Sequence, residues 1–84
     1  MGVQIALVKA NNWQGLYVNE KRVYEDHGIS IERVMQYVLY NHVDHFEVFY
    51  ANEDWLARRV KLPKNLRKVK LEDGQTIAEH WESE

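Results

Sequence analysis

The residues 58–70, Arg58-Arg59-Val60-Lys61-Leu62-Pro63-Lys64-Asn65-Leu66-Arg67-Lys68-Val69-Lys70, hold seven of the eleven Lys and Arg in this 84-residue chain. Guanidinium groups fork onto phosphate or carboxylate oxygens and ammonium groups add point charge. Such a run therefore suits a nucleotide, a nucleic acid or an acidic protein face. The competing explanation is a solvated amphipathic surface, because valines and leucines interleave with the cations. Beyond Lys70 the balance reverses: five acids (Glu72, Asp73, Glu79, Glu82, Glu84) and no Lys or Arg, an internal counterweight to the basic run.

Aromatic side chains are the second resource. Three Trp, five Tyr and two Phe make 12% of the chain, and rings beside Arg are the residue types of interface hot spots and of base-stacking platforms. Trp13 falls in a polar turn, Tyr17 in a β-prone run, and Tyr37 and Tyr40 outside the apolar stripe of a helix described below. The alternative is that these rings close the edges of a small core. The expected ligand- or partner-binding set is Trp13, Tyr17, Tyr37, Tyr40, Arg58, Arg59, Lys61 and Lys64.

Reactive groups are scarce. No cysteine is present, which removes disulfides, thiolate metal sites and thiol nucleophiles. The segment His42-Val43-Asp44-His45 crowds three potential ligands but lacks two His at i, i+4 on one helix face. Of the Ser and Thr hydroxyls, Ser30 and Thr76 read as helix caps and Ser83 lies near the end of the chain; nucleophilic catalysis needs a base and an orienting group as well. Glycines stand singly at 2, 15, 28 and 74, so no phosphate loop is formed. Glu25 and His27, near a strand end, are the one plausible acid–base pair. The expectation is a binding protein rather than an enzyme, with no metal and no cofactor.

These groups need elements to position them. Val3, Ile5 and Leu7 alternate with Gln4, Ala6 and Val8, a strand with one clearly apolar face. Asn11, Asn12 and Gly15 mark a turn. Leu16–Val18 and Arg22–Glu25 flank Asn19-Glu20-Lys21, a hairpin with Asn19 left-handed. Ser30 then caps a helix, Glu32 sits in its first turn and Ile29 staples onto Val34; Ile31, Val34, Met35, Val38 and Leu39 form a stripe at helical spacing that should pack on the sheet. The helix should end near Asn41-His42. Residues 45–50 alternate as a further strand, Asn52 caps a short helix carrying Trp55, Leu56, Arg59 and Val60, and Pro63 ends it. Residues 67–72 alternate again before Asp73-Gly74, a hairpin signal, while Thr76 with Glu79 reads equally as a capping box. Residues 75–82 stay open between strand and helix. The expected fold is α+β: a small antiparallel sheet of 4–5 strands in the order β-β-β-α-β-α-β, one main amphipathic helix on one face, one domain over residues 1–84, and fraying over 80–84.

Trp13-Gln14-Gly15-Leu16-Tyr17-Val18-Asn19 and Val23-Tyr24-Glu25-Asp26-His27, with the later Trp55-Leu56 and Leu62-Pro63, resemble small accessory proteins encoded by phages and prophages of Gram-positive bacteria. The similarity covers about half the chain. Where such proteins tend to be acidic around the second helix, this chain carries Arg58, Arg59 and Lys61. No activity comes with the resemblance; it implies a phage context, a class rich in inhibitors of host enzymes and of anti-phage defences.

A chain this short buries only about 60–65% of its unfolded surface, which favours reinforcement by aromatic mass and by self-association into a homodimer. The opening residues lack a basic n-region and a long apolar run, and Ala6 stands where a myristoylation motif needs Ser or Thr; a cytoplasmic protein without membrane contact is expected. Three binding modes follow in order: direct contact with a host or defence protein, sequestration of a nucleotide-derived signal between subunits, and, against a net charge of −2, nucleic-acid binding.

Overall fold

Backbone alternation along residues 3–26 produces a meander. In the computed structural model, which describes residues 3–40, 42–59 and 61–77, its strands are β1 (Val3–Lys9), β2 (Gln14–Val18) and β3 (Lys21–Asp26). Neighbours in the meander pair antiparallel. The β2–β3 connection is a two-residue turn rather than a three-residue loop: Asn19 (φ 50°) and Glu20 (φ 70°) both take the left-handed conformation and Val18 pairs with Lys21. Two positive φ values match the right-handed twist of the flanking strands. The turn folds back on β1, with the Gln4 N–H donating to Asn19 Oδ1 at 3.0 Å and the Asn19 N–H donating to the Gln4 carbonyl at 2.8 Å.

Helix α1 (Ile31–Tyr40) starts where its cap predicts, with Ser30 Oγ accepting from the Arg33 N–H at 3.2 Å. It carries the chain from β3 across one face of the sheet to β4 (Val43–Tyr50), which pairs parallel to β1 and completes the order β3-β2-β1-β4. The α+β class and the β-β-β-α-β-α order hold, but the sheet is mixed rather than antiparallel throughout. The chain reaches β4 from β3 through a helix, and a crossover of this kind delivers a strand in parallel where a tight hairpin cannot.

Residues beyond α2 (Glu53–Ala57) cover the second face. Here the alternation of residues 67–72 misleads. Asn65 Oδ1 accepts from the Arg67 N–H at 2.9 Å and caps a 3-10 turn over Leu66–Lys68, and only single bridges follow, Ala51 to Leu71 and Lys70 to Thr76. The apolar residues of this stretch point inward by docking on the sheet, without extending it. Asp73-Gly74 does form its turn, with Gly74 at φ 86°. The C-cap at Asn41, the Thr76–Glu79 box, the conformation of 78–82 and the fraying of 80–84 lie outside the described residues.

Strand β1 is therefore apolar on both sides. Ile5 and Leu7 join Leu16 and Val34 under α1, with Val18, Tyr24, Tyr37 and Val38 packed around them. Ala6 and Val8 join Tyr17, Phe49, Leu62, Leu66, Val69 and Ile77 on the opposite face. Each fully buried large side chain contributes roughly 1.5–3 kcal/mol. The helix stripe needs correction: Val34, Tyr37 and Val38 face the sheet, whereas Ile31, Met35 and Leu39 are exposed. No helix among the described residues is long and apolar enough to cross a membrane.

Candidate ligand and partner surface

Pro63 and Leu62 set the position of the basic run. Both are buried, and their carbonyls are held by the sheet: the Tyr17 hydroxyl donates to the Pro63 carbonyl at 2.6 Å, and Arg22 Nη1 donates to the Leu62 carbonyl. Gly15 makes room for this, because a Cβ there would stand 2.5 Å from Leu62 Cδ1. The chain then runs along the β3 edge, where the Arg22 N–H donates to the Lys64 carbonyl and the Leu66 N–H to the Glu20 carbonyl, each at 2.8 Å. Arg58, Arg59, Lys61 and Lys64 are left exposed around this anchored loop.

With Arg22, these four cations line one open cleft of about 530 Å³. Arg22 is held by Glu25, Nη1 to Oε1 at 3.2 Å, and farther along Arg67 is held by Glu20 at 2.5 Å. Among the described residues Arg58, Lys61 and Lys64 form no ion pair. Within residues 58–70 Arg67 alone forms an ion pair among the described residues, and its acid, Glu20, comes from the β2–β3 turn; neither Glu72 nor Asp73 of the expected counterweight pairs with the run.

A second cleft, of about 600 Å³, adjoins the first through Arg59 and is lined by Asn11, Asn12, Trp13, His27 and Leu56. Trp13 is half-buried; its indole Nε1 donates to Glu25 Oε2 at 2.9 Å, and its ring meets the His27 ring edge-on at 5.0 Å. Glu25 therefore joins the two clefts, one carboxylate oxygen on Trp13 and the other on Arg22. The Arg59 guanidinium lies 5.3 Å from the Trp55 ring centroid. Glu53 and Asp54 also line this cleft, so an anion is favoured in the first cleft and a neutral or zwitterionic planar group beside Trp13.

The His27 Nδ1–H donates to the Asn12 carbonyl at 3.2 Å and the Glu25 carboxylate is committed to Trp13 and Arg22, so the anticipated Glu25–His27 acid–base pair is divided between other partners. Asp26 beside them is held below the ordinary carboxylate range by the His27 N–H and then by the Tyr24 hydroxyl. Within the 42–45 segment, His45 Nε2 meets Glu47 Oε1 at 2.8 Å. No three metal-ligating side chains converge among the described residues.

The expected set is thus split. Trp13, Arg58, Arg59, Lys61 and Lys64 share one region. Tyr17 is wholly buried, its hydroxyl pushed to a raised pKa by loss of water against the pull of Arg22, so it supports the loop from beneath and offers no ring to a ligand. Tyr37, half-buried, packs from α1 against the core, and Tyr40, although exposed, is on the same helix, across the sheet from the cationic clefts. Two members were missed. Trp55 stands four residues before Arg59 in a predicted helix, a spacing that signals contact; Arg22 carries no comparable sequence signal, since only the two-residue turn aims it at the loop. No family model matches the chain, and no curated protein or solved structure is similar to it.

Proposed function

We infer that this chain is a non-enzymatic accessory protein of the phage type that inhibits a host or anti-phage defence protein by direct contact, using the face around Arg58, Arg59, Lys61 and Lys64. The observation that carries the reading is the convergence of these cations on one open cleft beside half-buried indoles, with Arg58, Lys61 and Lys64 unmatched by described acids. Arg and Trp at a partly desolvated surface are the groups that dominate interface energetics, and their charge selects an acidic partner. The resemblance to phage accessory proteins adds the context. Capture from host lysate tests it: the unaltered chain retains a specific partner, and the double variant Arg58→Glu, Lys61→Glu loses it by at least tenfold. Equal retention by both chains overturns the reading.

A second reading rests on the Trp13 cleft. Arg59 borders both clefts, so a nucleotide-derived signal could set its phosphate among Arg58, Arg59 and Lys61 and its base toward Trp13. This version needs one chain alone and not a pocket between subunits. Calorimetry against cyclic and linear nucleotides decides it; no heat at high micromolar ligand removes it.

A further inference from the structure

The two edges of the sheet are treated differently. On the β3 side the chain stoppers its own edge, through the Lys21–Asn65 bridge and the 2.8 Å bonds at Arg22 and Leu66. Among the described residues the β4 side is stoppered only at its end, where the Glu72 N–H donates to the Tyr50 carbonyl at 3.0 Å and the Asn52 N–H to the Lys70 carbonyl at 2.9 Å. Because backbone direction alternates along a strand, and the Ala51 N–H turns inward to the Lys9 carbonyl at 2.9 Å, Phe46 and Val48 direct their N–H and C=O groups outward, as Tyr50 does. Residues 45–49 carry no lysine or proline, and the bulge of this strand falls just before them, between Val43 and His45; lysines, prolines and bulges are devices that ordinarily keep an edge from pairing.

Apolar surface accompanies the open edge. Phe46 is paired with Ile5 and Val48 with Leu7, so both side chains lie on the α1 face, yet they remain 42% and 40% exposed. On a helical wheel centred on Val34, Ile31, Met35 and Leu39 fall on the flank opposite Arg33. Arg33 sits 4.6 Å from the Tyr24 ring over β3, so the apolar flank looks toward β4. Its members are 73%, 42% and 79% exposed.

We propose that a second copy of this chain docks here, β4 against β4 in antiparallel pairing about a two-fold axis, joining two four-stranded sheets into one of eight. A second copy is the occupant that brings an identical open edge and an identical apolar flank, as an isologous interface requires. The charges choose the register. Centring on Phe46 places His45 opposite Glu47 of the second copy twice, in pairs where side chains approach most closely. Centring on Glu47 sets two carboxylates face to face, and centring on Val48 demands the Tyr50 carbonyl that Glu72 already occupies. Of these three registers only that centred on Phe46 avoids both conflicts.

Light scattering coupled to size exclusion on the full chain tests this. The expected mass is twice the 10.1 kDa of one chain, and Phe46→Lys returns it to one chain with an unchanged circular dichroism spectrum. The protein contains no cysteine, which permits a register test: Phe46→Cys cross-links on oxidation, since its two Cα atoms would stand about 5.5 Å apart, whereas Val48→Cys, about 13 Å from its mate, does not. A single-chain mass for the unaltered protein at about 100 μM overturns the proposal and leaves the edge to a strand from another protein. A doubled mass for Phe46→Lys, or cross-linking through position 48 and not 46, overturns it as well. The edge lies across the sheet from Arg22 and Lys64, so loss of dimerisation and loss of partner capture are separately readable.

Discussion

Tyr17 connects the innermost layer of the protein to its most exposed one. Its ring is buried and its hydroxyl donates at 2.6 Å to Pro63, in the loop that presents Lys61 and Lys64. Tyr17→Phe leaves a buried carbonyl without a donor, and urea denaturation should report a loss of about 1–2 kcal/mol. Burial raises the native pKa of this hydroxyl above its ordinary value of 10.0, so the native chain keeps a proton that the unfolded chain surrenders. The resulting stabilisation of the protonated native state is complete below about pH 10 and is lost as pH rises above it, by roughly 1.4 kcal/mol per pH unit until the native pKa is reached. Urea midpoints at about pH 9 and about pH 11 should therefore separate more for the unaltered chain than for Tyr17→Phe; equal slopes would mean the hydroxyl is wet. At this scale the cations were legible in the sequence, because Lys and Arg seldom lie inside. The rings were not: a tyrosine serves a core, a support or a platform with the same side chain, and only the neighbours decide.

Gly15 controls how closely an element can approach the sheet. Leu62 fills the space a Cβ would need, at 2.5 Å, and Tyr17 Cε1 would stand 3.3 Å from it. Leu62 is 2% exposed, with little freedom to retreat, so Gly15→Ala should cost about 1–3 kcal/mol in chemical denaturation. A variant as stable as the parent would mean the loop does not rest there. Caps proved the most readable local signals: Ser30 and Asn52 each accept the N–H three residues on. The wide apolar stripe of α1 was ambiguous, since Ile31, Met35 and Leu39 fit an inward face as well as Val34 and Val38 do. A stripe broader than one neighbour can cover does not name the part left over. The β-like alternation of 67–72 failed for a related reason, as period two records which side chains turn inward and not whether a strand is available to pair with.

Across the whole molecule the charge is small, −2, yet cations gather on the face around Arg58–Lys64. A partner drawn by that face should associate more slowly as salt rises, by about tenfold or more between 50 and 300 mM NaCl on order-of-magnitude grounds, with a nearly constant dissociation rate. Stopped-flow or surface-based kinetics measures both, and salt acting mainly on dissociation would contradict steering. The α+β class followed from element order; the parallel placement of β4 did not, because pairing partners are settled by what each face of β1 must cover. Ala6 and Val8 offered the one hint, small apolar residues on the side first read as secondary. That side finds its cover in Leu62, Leu66, Val69 and Ile77, more than fifty residues downstream of Ala6. During synthesis, half of the central strand must stay wet until residues 62–77 have emerged, so the nascent chain presents a greasy ribbon up to that point, and closing so long a loop will be the slow event in its folding.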